Sequence, residues 1–268
     1  MSDAGVLAGR LEDYIRGLPG DICTAFSGGV DSSVVAKAAK NALASDGRRA
    51  VAVTFVTPLQ SREDTEIARR VAGEIGTIQV ELALEPLTVP NVRQNSRERC
   101  YFCKKFMFTS LWEFCREKGF SAALDGTNAD DTGHYRPGLR AVEELGVISP
   151  LKELGYIKRD IVAVAEFYGL TVAGRPASPC MATRIPYGEV LDREVLSRLC
   201  QGETMLKAIL PGPLRLRLHG RVLRMEAPPD SFEDVIRNRE RIIAALKALG
   251  FVYITLDIEG FRSGSMDL

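Results

Sequence analysis

One stretch constrains the fold of this 268-residue chain more than any other: Ile22-Cys23-Thr24-Ala25-Phe26-Ser27-Gly28-Gly29-Val30-Asp31-Ser32-Ser33. An apolar run breaks into two glycines and resumes as an Ala/Val/Lys pattern of helical period, which predicts a strand, a loop and a helix. Gly28 and Gly29 can take backbone angles closed to other residues and let an anion approach the main chain, while Ser27, Ser32 and Ser33 add hydroxyl donors. The helix that follows points its unpaired N–H groups and its positive dipole end at the same spot. A nucleotide phosphate is the natural occupant, although two adjacent glycines would also serve an ordinary strand-to-helix turn.

The stretch lacks the Gly-Lys-Ser/Thr ending of a Walker A loop and the G-x-G-x-x-G spacing of a dinucleotide fold. It resembles the PP-loop, Ser-Gly-Gly-x-Asp-Ser, of the ATP pyrophosphatases. That resemblance implies cleavage of ATP between its α and β phosphates, with AMP passed to a carboxylate or carbonyl oxygen that thereby becomes a leaving group.

The rest of the chain reads as an α/β protein. Val6, Leu7, Leu11, Tyr14, Ile15 and Leu18 predict a leading amphipathic helix closed by Gly17 and Pro19. Ala50–Val56 is a nearly continuous apolar run, as in a parallel strand buried on both faces. Ser61 and Asp64 form an N-cap pair for a helix ending at Gly76, and Thr77 to Leu82 is the next strand. Lys104 to Lys118 carries a helical apolar pattern, followed by Gly119 and a strand from Phe120 to Leu124. This alternation implies a doubly wound parallel sheet with ligands at the carboxyl ends of its strands.

The loop Asp125-Gly126-Thr127-Asn128-Ala129-Asp130-Asp131 falls at such an end, where carboxylates suit a Mg²⁺ held against ATP phosphates or merely make a solvated turn. A helix Lys158 to Tyr168 closes the first domain, residues 1–175. The segment Gly174-Arg175-Pro176-Ala177-Ser178-Pro179 reads as a boundary. Residues 176–268 then form a smaller α+β domain: a helix Asp192 to Leu210, strands Leu214 to Leu218 and Val222 to Glu226, a helix Phe232 to Leu249 and a strand Phe251 to Leu256.

Charge narrows the partners. The 35 basic and 35 acidic residues cancel, so no global field recruits nucleic acid. With no signal-like start and no membrane-length apolar run, the chain is expected in the cytoplasm with no membrane partner. Its six cysteines are then thiols, metal ligands or catalysts rather than a disulfide frame. Cys100-Tyr101-Phe102-Cys103 opens a helix, and Cys180 follows the domain boundary. A C-x-x-C pair with a distant third cysteine suits a [4Fe–4S] cluster with one open iron, or a zinc, against a reading as unlinked buried thiols. Arg97, Arg99, Lys104 and Lys105 crowd the pair and are expected to lower its thiol pKa values. Cys23, Cys115 and Cys200 read as core or incidental thiols. Arg215 and Arg217 alternate with Leu214, Leu216 and Leu218, so both guanidiniums share one face, as a phosphate clamp or as a solvated strand face.

Together Ser27 to Ser33, Arg99 to Lys104, Asp125 to Asp131, Arg136-Pro137-Gly138, Ser178 to Gly188, Arg215-Leu216-Arg217 and the tail Gly260 to Met266 resemble the LarE family. These are ATP-dependent sulfur transferases that build the nickel-pincer nucleotide cofactor of lactate racemase. The resemblance implies adenylation of a carboxylate of pyridinium-3,5-biscarboxylic acid mononucleotide, then displacement of AMP by sulfur to leave a thiocarboxylate. It assigns Ser27, Gly28, Gly29, Asp31, Ser32 and Ser33, with Asp125 and Thr127, to ATP and Mg²⁺. It assigns Arg184, Arg215 and Arg217 to the substrate's phosphate, and Cys180, Asp31 and Glu203 to catalysis, Glu203 on spacing from Arg215 alone. Some members sacrifice the sulfur of the cysteine matching Cys180; others bind a [4Fe–4S] cluster through three cysteines. With Cys100, Cys103 and Cys180 the chain resembles the cluster type, fed by sulfide or another sulfur donor. The family also implies a homo-oligomer.

Two other classes share part of the pattern. A PP-loop tRNA thiolase also combines C-x-x-C with a third cysteine, but the balanced charge and the lack of a basic extension count against it. A nucleotide-sensing scaffold with zinc in place of the cluster would lack catalysis.

Overall fold

The computed structural model describes residues 3–133, 137–176 and 178–262. Arg136 and the tail from Ser263 to Met266, quoted above for the family resemblance, lie outside the described residues. The first elements are α1 (Asp3–Arg16), β1 (Ile22–Ala25), α2 (Val30–Leu43), β2 (Ala50–Val56), α3 (Arg62–Ile75), β3 (Ile78–Ala83), α4 (Pro90–Arg93), α5 (Arg99–Lys118) and β4 (Ala122–Leu124). There follow α6 (Pro137–Glu144), α7 (Pro150–Glu153), α8 (Lys158–Phe167), α9 (Arg193–Lys207), β5 (Arg215–His219), β6 (Val222–Glu226), α10 (Phe232–Arg237), α11 (Arg239–Ala248) and β7 (Tyr253–Leu256). They form two compact units: residues up to Val89 with Cys100–Ser178, and Pro90–Arg99 with the residues from Pro179 on.

The first unit is a parallel sheet in the order β3-β2-β1-β4, extended by a parallel bridge between Leu124 and Ile148. Side chains alternate across a strand, so Ile22 and Cys23 belong to different cores. Ile22 packs with Leu11, Val34, Val71 and Ile161 of α1, α2, α3 and α8. Cys23 packs with Phe108, Leu111 and Cys115 of α5 on the other face. Helices on both faces leave the central strands no wet side, which is why Ala50–Val56 is apolar at consecutive positions. The doubly wound α/β architecture is thus the one the alternation predicts. As expected, Cys23 and Cys115 are core thiols; the hydrogen bond that the Cys23 thiol donates to Cys115, and then burial, push the Cys23 thiol far above its ordinary range.

Two features of this unit position its site. The strand order reverses between β1 and β4, and a crevice opens at the carboxyl ends of two strands whose connections leave in opposite directions. The start of α3 is fixed by Ser61, whose Oγ accepts the Asp64 N–H at 3.1 Å and donates to Asp64 Oδ2 at 2.6 Å. Such a cap is worth about 1 kcal/mol. Gly76 ends the helix at φ +69°, the left-handed conformation that spares a glycine the Cβ penalty.

The second unit is a mixed sheet, β5-β6-β7, with β5 antiparallel and β7 parallel to β6. Helix α9 lies close against it: a Cβ on Gly202 would come within 2.7 Å of Leu216 Cδ1. The continuous helix expected from Phe232 to Leu249 is broken at Asn238, which closes α10 and precedes α11. Its side-chain amide donates to Asp234 O at 2.9 Å, the local competition with the helix ladder that asparagine offers. Residues 90–99 are stitched into this unit through Asn95, which is buried with φ +50°. Its Nδ2 donates to Ile185 O and Pro186 O at 3.0 and 2.8 Å, and its Oδ1 accepts from Arg99 Nη1 at 2.8 Å.

Candidate functional site

The phosphate loop of the first unit is held by its own serines. Ser32 Oγ accepts the Ser27 N–H at 3.2 Å and donates to Gly29 O at 3.1 Å, and Ser33 Oγ donates to the same carbonyl at 2.8 Å. Ser27 Oγ, 3.1 Å from Ser32 Oγ, accepts the Gly29 N–H at 3.3 Å. Gly28 sits at φ +72°, and a Cβ there would lie 2.6 Å from the Ala68 Cα of α3, so the loop requires glycine for both conformation and space. Gly29 caps α2 in extended conformation without a side-chain hydrogen bond to the helix. The opening N–H groups of a 14-residue helix therefore face the loop, where an anion is favoured.

The loop after β4 faces it. Asp125 is buried and takes three hydrogen bonds: Thr127 N at 3.1 Å and Ser149 Oγ at 2.7 Å on Oδ1, and Thr127 Oγ1 at 2.6 Å on Oδ2. Lys104 Nζ stands 4.0 Å from Oδ2. A Cβ on Gly126 would lie 2.7 Å from Ser32 N, so glycine lets this loop close on the start of α2. Asp31 projects from the first turn of α2 to Lys158 Nζ, at 3.0 and 2.8 Å from its two oxygens, and lies 3.4 Å from Asn128 Nδ2. Between these elements is a cavity of about 300 Å³ lined by Ser27, Gly29, Asp31, Ser32, Lys104, Asp125 and Thr127 on its polar side and by Phe55, Met107 and Phe108 on its apolar side. That volume is in the range of small-molecule sites.

Lys104 is drawn into this cavity, and the other cations near the cysteine pair also have partners of their own. Arg97 and Arg99 stand over the Tyr187 ring at 5.8 and 4.4 Å within the second unit, and Lys105 pairs with Glu144 at 3.0 Å. Lys158 and Ser149 complete the site without having been singled out in the sequence, and Asn128 does so from within the quoted Asp125–Asp131 loop. Lys158 opens α8 far along the chain from Asp31, and no local pattern couples the two.

Mg²⁺ is bound by proteins through one or two carboxylates, substrate phosphates and water, and Asp31 and Asp131 on the cavity wall are ligands of that kind. For a cluster, the donors are right in chemistry. Cys100 and Cys103 lie on the first two turns of α5, Cys100 exposed and Cys103 half-buried, and Cys180 is the exposed N-cap of a 3-10 turn, Met181–Arg184, in the second unit. Among the described residues, however, no three His, Cys, Asp or Glu are gathered as a metal ion would need.

In the second unit the predicted arginines meet carboxylates. Arg184 is buried, and its Nε and Nη2 donate to the two oxygens of Glu203 at 2.9 Å each. Its Nη1 reaches Pro179 O at 3.1 Å and Thr183 Oγ1 at 2.9 Å. Glu203 Oε1 also accepts the Leu216 N–H at 2.9 Å, which ties α9 to β5. Arg217 is buried against Glu226, with bonds of 3.2 and 3.1 Å, and its Nη1 donates to Thr183 O at 2.5 Å. For Arg217, then, a solvated strand face does not hold. Arg215 is half-buried 5.3 Å over the Phe261 ring and donates to Leu214 O at 2.8 Å. Burial first, then the nearby Arg184, lowers its proton affinity, but a guanidinium remains charged at any ordinary pH. The arginine face thus has two members locked in bidentate pairs beside a third, Arg215.

Comparison with known proteins agrees with this layout. The asparagine synthase family matches residues 20–132, from the strand that enters the phosphate loop to the end of the Asp125 loop. NMN synthetase from Francisella tularensis shares the fold, with a TM-score of 0.50 over 65% of this chain and 74% of that one at 14% identity. Uncharacterized protein slr1717 of Synechocystis is 35% identical over 245 residues, 91% of this chain and 90% of that protein. The pyridinium-3,5-bisthiocarboxylic acid mononucleotide synthase of Lactiplantibacillus plantarum is 33% identical over 261 residues, 97% of this chain and 92% of that protein. With that relationship running through both units, and with a PP-loop closed on Gly126 at the switch point of a parallel sheet, the chain belongs to the LarE family of PP-loop enzymes.

Proposed function

We propose that the protein is an ATP-dependent sulfurtransferase that adenylates a carboxylate of pyridinium-3,5-biscarboxylic acid mononucleotide and converts it to a thiocarboxylate. The observation that carries the reading is the cavity in which the Ser27–Ser32 loop, the start of α2, Lys104 and the Asp125 loop converge, in a chain related over 97% of its length to a synthase of the bisthiocarboxylic product. A carboxylate oxygen attacks the α-phosphorus and the bond to pyrophosphate breaks. Sulfide sulfur then attacks the acyl carbon, the carbon–oxygen bond to AMP breaks, and the thiocarboxylate remains.

The chain's own groups meet what each step needs. The loop N–H groups and the Ser27 hydroxyl hold phosphate oxygens, and Lys104 offsets charge that builds on the departing pyrophosphate. Asp31 and Asp131 would hold Mg²⁺, which supplies a counter-charge for the phosphates. Asp125 with Thr127 and Ser149 fixes the facing loop. In the C-terminal domain, assigned to residues 176–268, Arg215 receives the mononucleotide phosphate together with Arg184 and Arg217, which Glu203 and Glu226 hold in place. Cys100, Cys103 and Cys180 would hold a [4Fe–4S] cluster, whose chemistry is to bind an added sulfide at an iron without a protein ligand.

The test is product analysis of ATP turnover with the pyridinium dicarboxylate nucleotide. AMP and pyrophosphate are expected; ADP and orthophosphate as primary products would overturn the reading.

A further inference from the structure

One residue of the cavity wall, Gln60, carries a buried polar atom that the phosphate chemistry does not use. Gln60 lies between β2 and α3, its backbone N–H bonded to Thr57 O at 3.2 Å, directly before Ser61, the cap of α3. The segment that carries it is therefore anchored at both sides. Its Oε1 is buried without a hydrogen-bond partner among the described residues, and the residue lines the cavity with Phe55, Met107 and Phe108. The two phenylalanine rings meet edge to face, 5.8 Å between centroids. A buried carbonyl oxygen left unpaired is costly and needs a reason, such as a ligand donor that completes it. Walls of two aromatic rings and a thioether suit a flat heterocycle that brings such a donor.

We propose that Gln60 is a specificity-determining residue that reads the base of the nucleotide, its Oε1 accepting a hydrogen bond from the exocyclic 6-amino group of adenine. This rests on the reading above that the cavity takes ATP. Hypoxanthine carries a 6-oxo group at the same position and would set two acceptors against each other. A site built to bond a donor rejects the analogue that lacks it more strongly than an apolar pocket does.

The experiment is calorimetric titration of the full chain with the Mg²⁺ salts of ATP and ITP, on the wild type, Gln60→Met and Gln60→Glu. The wild type should bind ATP about tenfold more tightly than ITP. Gln60→Met keeps the length of the side chain without the acceptor and should bring the two nucleotides within about twofold, through loss of ATP affinity. Gln60→Glu has only acceptors at its tip and should keep the preference for ATP. A wild type that does not discriminate, or a Gln60→Met variant with the wild-type ratio, would overturn the inference while leaving ATP binding intact. Failure of the wild type to bind either nucleotide would instead remove the ATP reading, and this inference with it.

Discussion

Replacing Glu203 by alanine separates two roles that its position allows. Its carboxylate takes Nε and Nη2 of Arg184 at 2.9 Å each and the Leu216 N–H at 2.9 Å, while the Arg184 side chain is only 3% exposed. The substitution leaves a guanidinium in the interior with its bidentate partner gone and a β5 amide without its acceptor. Breaking a buried pair from one side costs about 3–5 kcal/mol, and the positive charges of Arg215 and Arg217 on the neighbouring strand add to the imbalance. Urea titration should register this loss by far-ultraviolet circular dichroism. Fluorescence of Trp112, the single tryptophan of the chain, reports on the α5 core of the first unit in parallel. Replacing both partners, Arg184→Met with Glu203→Leu, should recover most of the stability, since apolar groups of similar size do not leave a buried charge behind. A loss below about 1 kcal/mol with turnover abolished would refute the argument and make Glu203 a group that acts on substrate directly.

Two further outcomes follow from the geometry. Gly28→Ala forces a left-handed residue and a Cβ 2.6 Å from the Ala68 Cα; it should cost about 1–2 kcal/mol from backbone conformation alone and remove ATP binding in calorimetry, and retained binding would contradict the loop's role. For Asp64, burial acts to raise the carboxyl, but hydrogen bonds from Ser61 and Arg175 outweigh it and hold the group below its ordinary 3.8. A depressed folded-state value contributes stability above the unfolded value that disappears as pH falls through the folded one. Asp64→Asn should therefore flatten the acid limb of the stability profile below that ordinary value, measured by thermal melts, and an unchanged limb would count against it.

The fold was legible wherever a local rule fixes it. The glycine loop after an apolar strand, the Ser61–Asp64 cap, the left-handed Gly76 and the run Ala50–Val56 each satisfy a constraint within a few residues, and each is where the sequence places it. The break at Asn238 was not legible, because apolar spacing continues across it while a single side-chain amide decides the backbone. The site divides in the same way. The Ser27–Ser33 and Asp125–Asp131 loops are contiguous motifs. The partners of Asp31, Arg184 and Arg217 lie up to 127 residues away and are chosen by packing, for which one sequence carries no signal. Gln60 and the stitching of residues 90–99 through Asn95 belong with these: an unpaired oxygen and a positive φ are properties of the folded chain alone.

The central claim, sulfur transfer to an ATP-activated carboxylate, is tested most directly by anaerobic reaction of the intact protein with ATP, Mg²⁺, sulfide and pyridinium-3,5-biscarboxylic acid mononucleotide, with mass analysis of the small molecules and of the protein. The account predicts a thiocarboxylate product in excess of enzyme, AMP and pyrophosphate in equal amounts, and an unchanged protein mass. A nucleotide that leaves the reaction as the unmodified dicarboxylate while ATP is consumed would contradict the claim, and a single turnover in which the protein loses the elements of H₂S would move the sulfur source from added sulfide to Cys180 itself.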